Sequence, residues 1–189
     1  MIHFSHYAAA FNLLGTCYLF SPNDETSHSA LNFFKTENFA EQWPCKIDNS
    51  LSQKIKSALD INFEQLNSQW IALFIGPNSL PAPPWGSVYL DPEGVLHGAS
   101  TVALSEFLKR ERLKLQTCYP EPSDHIGLML FQAAVLASEI REKALNELLD
   151  EHLATWLPLF VTQFNHVVGS PFYTALTELT LVTVNQCRR

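Results

Sequence analysis

The chain has 189 residues and a formal net charge of −7, with 47% hydrophobic and 16% charged residues. This length fits one domain, residues 1–189, and is sufficient to bury a substantial core. The acidic balance argues against nucleic acid or an anionic lipid surface as the partner, because both are bound through clusters of lysine and arginine, and it favours a basic ligand.

Helix signals dominate the first part of the chain. Apolar residues recur at spacings of three and four from residue 4 to residue 20, which is typical of one helix face. Ser21 followed by Pro22 is typical of an N-cap and a first helical position, and the S-x-x-Q pattern at Ser50 is typical of a capping box. The sequence predicts helices over residues 4–20, 22–36 and 62–74, with another beginning at Ser50.

Residues 75–94 interrupt this pattern. The segment IGPNSLPAPPWGSVYLDPEG holds five prolines and three glycines, and proline lacks the amide donor that a helix interior needs. A connection this long is uncommon in a compact domain unless it is functional or disordered. Its apolar residues, Trp85 and Tyr89 among them, argue against disorder. We therefore expect a long, ordered, proline-rich binding loop.

Helical signals return after the loop. Pro158 should kink or restart the helix that contains it, and Ser170 with Pro171 repeats the cap-then-proline start. The longest uncharged apolar run, residues 126–138, is shorter than the ~18 residues of a membrane span and is better explained as a buried helix. The predicted helices cover residues 101–114, 124–149 as one helix or two, 151–168 and 172–187. The chain is thus predicted to be all-α, a single globular domain of seven to nine helices.

Residues 121–125, EPSDH, place two carboxylates and an imidazole at the start of the most apolar helix. One interpretation is local: the acidic residue caps the helix, and His125 bonds a neighbouring carbonyl. The other is that Asp124 and His125 project into a cleft, where Asp124 would pair with the planar fork of an arginine. A catalytic Asp-His dyad is disfavoured, because adjacent helical residues point about 100° apart.

Apolar residues directly before the loop and within it also allow two interpretations. Trp70, Leu73 and Phe74, taken alone, are better explained as core residues, although element ends line clefts more often than helix centres do. Pro84 and Trp85 are either a rigid wall or the aromatic anchors of a peptide groove.

No pattern predicts a metal site, a cofactor or a catalytic group. The histidines lack the H-x-x-x-H, H-E-x-x-H and H-x-H spacings, and nucleotide-binding and nucleophile-elbow motifs are missing from the sequence. The cysteines are scattered without a C-x-x-C pair. We therefore expect a protein that is not an enzyme.

Segments in order along residues 42–179 together resemble one known family. The PPWGSVYLD run and the EPSDH box are specific in combination, although either alone would be weaker. The segments are QWP at 42–44, QWIALFIGP at 69–77, LPAPPWGSVYLD at 80–91, EPSDHIG at 121–127 and SPFYTALTEL at 170–179. This pattern resembles the TorD/DmsD family of maturation chaperones, and its DmsD members most.

The resemblance implies an all-helical cytoplasmic chaperone. It would bind the twin-arginine leader of a molybdoenzyme such as dimethyl sulfoxide reductase and hold back export until the molybdenum cofactor is inserted. A leader with two arginines and an apolar stretch needs a carboxylate beside an apolar groove. The acidic chain, with its apolar and aromatic residues around the loop, supplies both. In the family, leader binding is attributed to the positions that match Trp70, Leu73, Phe74, Pro84, Trp85, Asp124 and His125.

The resemblance leaves partners and oligomeric state open. Both a monomer and a helix-swapped dimer are compatible with it, and the export and cofactor-insertion machineries are candidate partners. Two other functions also stay open. A small hydrolase would use Asp124 and His125 with His97 or His152, in an ordered triad or around a metal. A structural helical adaptor would bury Trp85 and Tyr89 with no adjoining cleft.

Overall fold

The computed structural model describes residues 4–92, 96, 98–114, 121–166 and 169–188. Within these ranges the regular structure is helical and no strand is formed, which confirms the all-α prediction. Two π-helical segments, Ile71–Ile75 and Leu148–Leu153, directly follow α5 and α9. The α-helices are α1 Phe4–Leu19, α2 Glu25–Lys35, α3 Phe39–Gln42, α4 Asn49–Ala58, α5 Phe63–Trp70, α6 Gly86–Leu90, α7 Ala99–Arg110, α8 Ile126–Ser138, α9 Glu142–Glu147, α10 Leu157–Asn165 and α11 Pro171–Cys187.

The described residues form eleven α-helices, more than the seven to nine predicted. Two of the additional helices are short, since α3 has four residues and α6 has five. Helices of one turn are too short to show periodicity and are unstable without tertiary contacts. Because α6 lies inside the proline-rich segment, the expected loop is partly helical.

The predicted helix starts had different outcomes. Ser170 caps α11 as predicted, since its Oγ accepts a hydrogen bond from the backbone N–H three residues on, at 3.3 Å. Ser21 does not cap α2, whose N-cap is Asp24; its Oγ accepts from Asn23 N–H at 3.1 Å and donates to Asn67 Oδ1 at 2.6 Å. Ser50 lies within the first turn of α4, whose N-cap is Asp48. The N-cap of α2 therefore lies three residues after the predicted position, and that of α4 two residues before it.

Close helix packing builds the core around α1 and α8. These two helices share the most extensive interface among the described elements. Glycine makes the approach possible, because a Cβ at Gly15 would lie 2.9 Å from the carbonyl oxygen of Gly127. Since α8 is buried along most of its length, it is the core helix that the sequence predicted. No helix in the described parts of the chain combines the length and apolar character needed to cross a membrane.

The second half of the fold places the residues of interest. The short helix α6 packs against α7 and α10, and the π-helical segment Leu148–Leu153 packs against α8. Pro158 marks a restart, as predicted, because α10 begins at Leu157 after the π-helical segment has ended. Trp156 lies in the gap between these elements and is fully buried.

Candidate functional site

The proline-rich segment and the EPSDH box are joined through their backbones. Trp85 and His125 form an antiparallel β-bridge, in which Pro84 O accepts one hydrogen bond at 2.8 Å and Asp124 O accepts the other at 3.2 Å. The proline-rich segment and the EPSDH box, distant in sequence, are therefore in direct contact. We call the unit formed by Pro84, Trp85, Asp124 and His125 the junction.

Asp124 is held inside the junction and is 3% exposed. Its Oδ2 accepts a hydrogen bond from Ser87 N–H at 2.8 Å and a weaker one from Thr101 Oγ at 3.4 Å. Its Oδ1 is buried and has no hydrogen-bond partner in the described residues. Since buried polar atoms are nearly always paired in folded proteins, this oxygen retains an unused capacity to accept a hydrogen bond.

His125 is the N-cap of α8, and its ring is neutral. The Nδ1 atom accepts a hydrogen bond from Gly127 N–H at 3.0 Å, which requires the ring proton to be on Nε2. Burial lowers the pKa of His125 from 6.5 to about 3, because the charged form loses its hydration. The local interpretation is therefore wrong in its details, because the N-cap of α8 is His125 and not the acidic residue, and the backbone partner of His125 is an amide and not a carbonyl.

Trp85 is half-buried and is the most accessible residue of the junction. Its indole Nε1–H donates to Glu121 Oε2 at 3.0 Å, so the first residue of the EPSDH box orients it. The ring of Trp85 meets that of His125 edge-on, with centroids 6.1 Å apart. Tyr89 is also half-buried, and its hydroxyl donates to Pro83 O at 2.9 Å.

Trp70, Leu73 and Phe74 lie in the hydrophobic core, each at most 5% exposed. Trp70 Nε1–H donates to Tyr18 O at 2.9 Å. The interpretation that these three residues taken alone are core residues is confirmed. Their role in binding a leader stays a prediction, which the structure does not test.

A continuous series of ring contacts connects Phe74 to the loop. The centroid distances are 6.0 Å from Phe74 to Phe164, 5.5 Å from Phe164 to Phe160 and 6.2 Å from Phe160 to Tyr89. Tyr89 also stacks on Trp156 at 5.7 Å. Because protein interiors are closely packed, a change of volume at Phe74 is expected to alter the position of the loop.

A cavity of about 220 Å³ lies beside the junction, between α6, α7 and the π-helical segment Leu148–Leu153. Its lining includes Asp124, Glu151, His152 and Trp156, and the charged side chains among the described lining residues are the two carboxylates. We call it the acidic cavity. Gly86 and Trp156 pack closely in its wall, since a Cβ at Gly86 would lie 2.7 Å from Trp156 Nε1.

The sequence identified only part of this cavity. Asp124 belongs to the EPSDH box, and His152 entered as one candidate of the hydrolase hypothesis. Glu151 and Trp156 were missed, because they lie in or just after a π-helical segment and belong to no motif. The one available signal was Pro158, which marked a break in the chain near both residues.

Glu147, Glu151 and His152 are the group of described residues that could offer ligands to a metal ion, with ligand atoms all within 4.8 Å of one another. Glu147 is already paired with Arg110, whose Nη2 lies 2.6 Å from Glu147 Oε2. Burial lowers the pKa of His152, whose ring packs against Phe107 at 5.1 Å. The nearby guanidinium makes the group a poor cation site, because it competes for a carboxylate.

A larger cavity of about 620 Å³ lies between α1 and α8 and is mainly apolar. Small residues of α1 such as Ala8 and Ala9 line it together with Phe131. Its described lining contains none of the residues that the sequence predicted for leader binding. The acidic cavity, although smaller, is therefore the one associated with the predicted site.

Comparisons with known proteins support both the fold and the family. A solved structure from Archaeoglobus fulgidus, described as a redox enzyme maturation protein, matches with a TM-score of 0.64 over 94% of this chain and 93% of that one. Its identity is 18%, so this likeness establishes a shared fold. The family model described as nitrate reductase delta subunit matches residues 44–162, which is more than half of the chain.

Relatives with higher identity specify the branch. The chain is 43% identical to the "Probable Tat proofreading chaperone DmsD" of Haemophilus influenzae, over 92% of this chain and 86% of that protein. It is 35% identical to the Tat proofreading chaperone DmsD of Salmonella typhi over 95% and 88%, and 28% identical to the chaperone protein TorD of Shewanella pealeana over 84% and 75%. The chain belongs to the TorD/DmsD family of molybdoenzyme maturation chaperones.

The family membership and the site geometry bear on the two other functions that the sequence left open, a small hydrolase and a structural helical adaptor. The relatives are named as chaperones, which supports the prediction that the chain is not an enzyme. The hydrogen bonds of Asp124 and His125 run to different backbone amides, and His97 lies outside the described residues. The adaptor hypothesis needed buried Trp85 and Tyr89 with no adjoining cleft, whereas both are half-buried and their chain neighbours Gly86 and Leu90 line the acidic cavity.

Proposed function

We propose that the chain is a cytoplasmic chaperone that binds the twin-arginine signal peptide of a molybdoenzyme. The client that the sequence resemblance favours is the catalytic subunit of dimethyl sulfoxide reductase. Binding would delay export of this subunit until its cofactor is inserted and the subunit is folded. The proposed site comprises Trp70, Leu73, Phe74, Pro84, Trp85, Asp124 and His125.

The observation that carries the proposal is the junction, where two backbone hydrogen bonds join the segment of a half-buried tryptophan to the segment of a buried carboxylate. A twin-arginine leader presents positive charge next to an apolar stretch, and the junction offers a carboxylate next to an aromatic ring. The chain's net charge of −7 favours a cationic peptide at longer range. Exposed apolar side chains on adjacent helices, Leu90 on α6 and Leu159 on α10, extend the apolar surface.

The proposed residues divide into two roles. Trp85 is half-buried and would contact the peptide directly, and Asp124, which is buried but lines the acidic cavity, would supply the negative charge. Trp70, Leu73, Phe74, Pro84 and His125 are buried, so they would hold the walls of the site in place. Trp85 is therefore proposed to touch the peptide and not only to support the loop, and a substitution can test this.

The test is the affinity of purified protein for a synthetic, fluorescently labelled twin-arginine leader. Trp85→Ala should weaken binding by at least about tenfold, as expected for a central aromatic contact. The control is Phe33→Ala, because Phe33 is also half-buried but lies on α2, outside the junction, where its ring packs against Phe34, Phe39 and Trp43. Binding of the leader to Trp85→Ala with wild-type affinity would show that the proposed contact is wrong.

The identity of the ligand needs its own comparison. A leader from dimethyl sulfoxide reductase, one from another molybdoenzyme and a signal peptide without paired arginines should bind in that order of decreasing affinity. Equal affinity for all three peptides would mean that the protein binds apolar peptides in general, which would contradict the proposal. Melting temperatures of all variants, measured in parallel, separate a lost contact from a lost fold.

A further inference from the structure

A further cavity, of about 210 Å³, lies where the ends of α7 and α8 meet. Its described lining shares no residue with the junction or with the acidic cavity. Its charged lining residues are Arg112, Lys114, Arg141 and Glu139. Three cations and one carboxylate give the lining an excess of two positive charges, in a chain whose net charge is −7. We call this cavity the basic pocket.

The ends of the two helices position the cations. The backbone N–H of Leu113 and that of Arg141 each donate to the carbonyl five residues earlier, both at 2.9 Å, which is the Schellman motif of a helix C-terminus. The motif turns the chain after each helix, and Arg112 takes a φ of 53° at the turn. Arg141 then joins the two ends, since its Nη2 donates to Glu111 O at 3.1 Å.

The cations of the basic pocket differ in whether they are paired. Arg141 forms ion pairs with Glu111 and Glu139. Arg112 and Lys114 are exposed and have no ion-pair partner within the described ranges. Cations near a helix C-terminus commonly balance the helix dipole, so their presence alone does not indicate a ligand.

Gln132 is the observation that the helix dipole does not explain. It lines the basic pocket from α8 and is 3% exposed. Its Oε1 is buried and has no hydrogen-bond partner in the part of the chain that the structure describes. The other buried residues of α8 carry no polar side chain. Since an unpaired buried amide lowers stability, an apolar residue would suit the fold better, and Gln132 is explained by a donor from outside the chain.

A ligand of the basic pocket therefore needs two groups, an anion for Arg112 and Lys114 and a hydrogen-bond donor for Gln132 Oε1. A carboxylate suits the planar fork of an arginine. Glu139 in the lining would repel a phosphate group, with its charge of about −1.5 to −2, more strongly than a carboxylate. The C-terminal residue of a peptide carries a carboxylate and an amide N–H on the same carbon atom.

The size of the basic pocket agrees with such a ligand. A volume of about 210 Å³ corresponds to roughly seven water molecules at ~30 Å³ each, which is enough for one amino-acid residue. Leu113 and Val135 complete the described lining and offer apolar contacts to a side chain.

We propose that the basic pocket binds the C-terminal residue of a partner protein, with its carboxylate at Arg112 and Lys114 and its amide N–H bonded to Gln132 Oε1. This site goes beyond the proposed function. The leader is proposed to bind through positive charge at the junction, whereas the basic pocket selects negative charge and lies on other residues.

The test uses N-acetylleucine, which has the carboxylate and the amide N–H of a C-terminal residue, in NMR titrations of the purified protein. The signals of the Gln132 side-chain amide and the Arg112 Nε–H should shift and saturate in the millimolar range, as expected for a ligand of about twelve non-hydrogen atoms. N-acetylleucinamide, which lacks the charge, should bind at least about tenfold more weakly, and acetate, which lacks the N–H, at least about fivefold. Equal binding of either compound, or tighter binding of inorganic phosphate, would overturn the assignment.

Gln132→Met separates binding from folding, because methionine keeps the length of the side chain and removes the amide. The variant should bind N-acetylleucine about fivefold more weakly, and its melting temperature should be equal to that of the wild type or higher, since the unpaired oxygen is removed. Unchanged binding would show that Gln132 is not part of a site, whatever the melting temperature.

The charge requirement has a matched pair of variants. Lys114→Gln should weaken binding of N-acetylleucine about threefold or more, in the range of an exposed ion pair. Lys109→Gln makes the same charge change at an exposed position of α7 that is not in the described lining, and should change the affinity less than about 1.5-fold. Equal effects of the two substitutions would indicate general electrostatic attraction and would contradict a defined site.

The outcomes distinguish this site from the proposed function. Trp85→Ala should bind N-acetylleucine with wild-type affinity. If N-acetylleucine binds and the twin-arginine leader does not, the basic pocket stands and the proposed function is wrong. If the leader binds and N-acetylleucine causes no saturable shift, the proposed function stands and the basic pocket is not a site for a C-terminal residue.

Discussion

The buried imidazole of His125 should make the stability of the protein depend on pH. Burial lowers its pKa from 6.5 to about 3, so between these two values the unfolded chain binds a proton that the folded chain does not. Protons therefore favour unfolding in this window. The contribution of His125 to stability is complete above pH 6.5 and is lost as the pH falls towards 3.

The magnitude follows from the same two pKa values. Each pH unit within the window changes the free energy of unfolding by about 1.4 kcal/mol. Between pH 7 and pH 5 the loss through His125 should therefore be about 2 kcal/mol. With a urea m-value of about 2 kcal/mol/M, typical of small proteins, this equals a shift of the unfolding midpoint by about 1 M.

The assay is urea unfolding of wild-type and His125→Asn protein at pH 7, 6 and 5. Asparagine keeps a side-chain acceptor at the N-cap of α8 and cannot titrate. The difference in unfolding free energy between the two proteins should change by about 2 kcal/mol over this range in favour of the variant. Other titrating groups contribute equally to both proteins and cancel in the difference.

The control is Asn62→Ser, which changes the N-cap of α5 from one non-titrating acceptor to another. Its difference from the wild type should be the same at every pH. If the difference between His125→Asn and the wild type is also constant to within about 0.5 kcal/mol from pH 7 to pH 5, the burial argument for a neutral His125 is refuted.

Three further substitutions test the packing around the site. Gly86→Ala introduces a Cβ 2.7 Å from Trp156 Nε1 and should cost about 1–3 kcal/mol through overpacking, measured as a lower melting temperature; unchanged stability would mean that α6 does not press on the indole. Trp70→Phe leaves Tyr18 O without its donor in the core and should cost about 1–3 kcal/mol. In the same urea titration Trp85→Phe should cost less, because its hydrogen bond to a side chain lies nearer the surface; the reverse order would contradict the assignment of Trp70 to the core.

Helices with local signals could be predicted from the sequence. The apolar spacing of α1 and the start of α11 at Ser170 and Pro171 both depend on residues within the helix or directly before it. Ser21 shows the limit of such reasoning, because its Oγ accepts the backbone N–H of Asn23 as a cap would, yet α2 begins only after Asp24. A cap pattern predicts a local hydrogen bond, but the same bond also forms in a turn that precedes the helix.

The short helix α6 could not be predicted for a related reason. It consists of five residues inside a proline-rich segment, and its position depends on the bond from Gly86 N–H to Asp124 O and on the contact with Trp156. Both partners are distant in sequence. Composition indicated that the segment was ordered, but the cause of that order lies in the rest of the fold.

The residues around the junction also differ in whether the sequence could indicate them. Asp124 and Trp85 lie in segments whose composition is unusual, so the sequence drew attention to them. Glu151 lies in a π-helical segment on a surface rich in acidic residues, where a single glutamate carries no signal. Only the folded arrangement places it with Asp124 in the lining of one cavity.

The burial of the predicted site changes how substitutions in it must be interpreted. Trp70 and Phe74 are part of the core, and Phe74 reaches the loop through rings of α10. Weaker leader binding in variants of either residue would therefore follow from a displaced wall as readily as from a lost contact. For such residues the loss of affinity should increase with the loss of stability across a series of substitutions. For Trp85, which is half-buried and proposed to contact the peptide, affinity should fall while stability is nearly kept, and this contrast distinguishes a residue that touches the peptide from one that supports the wall.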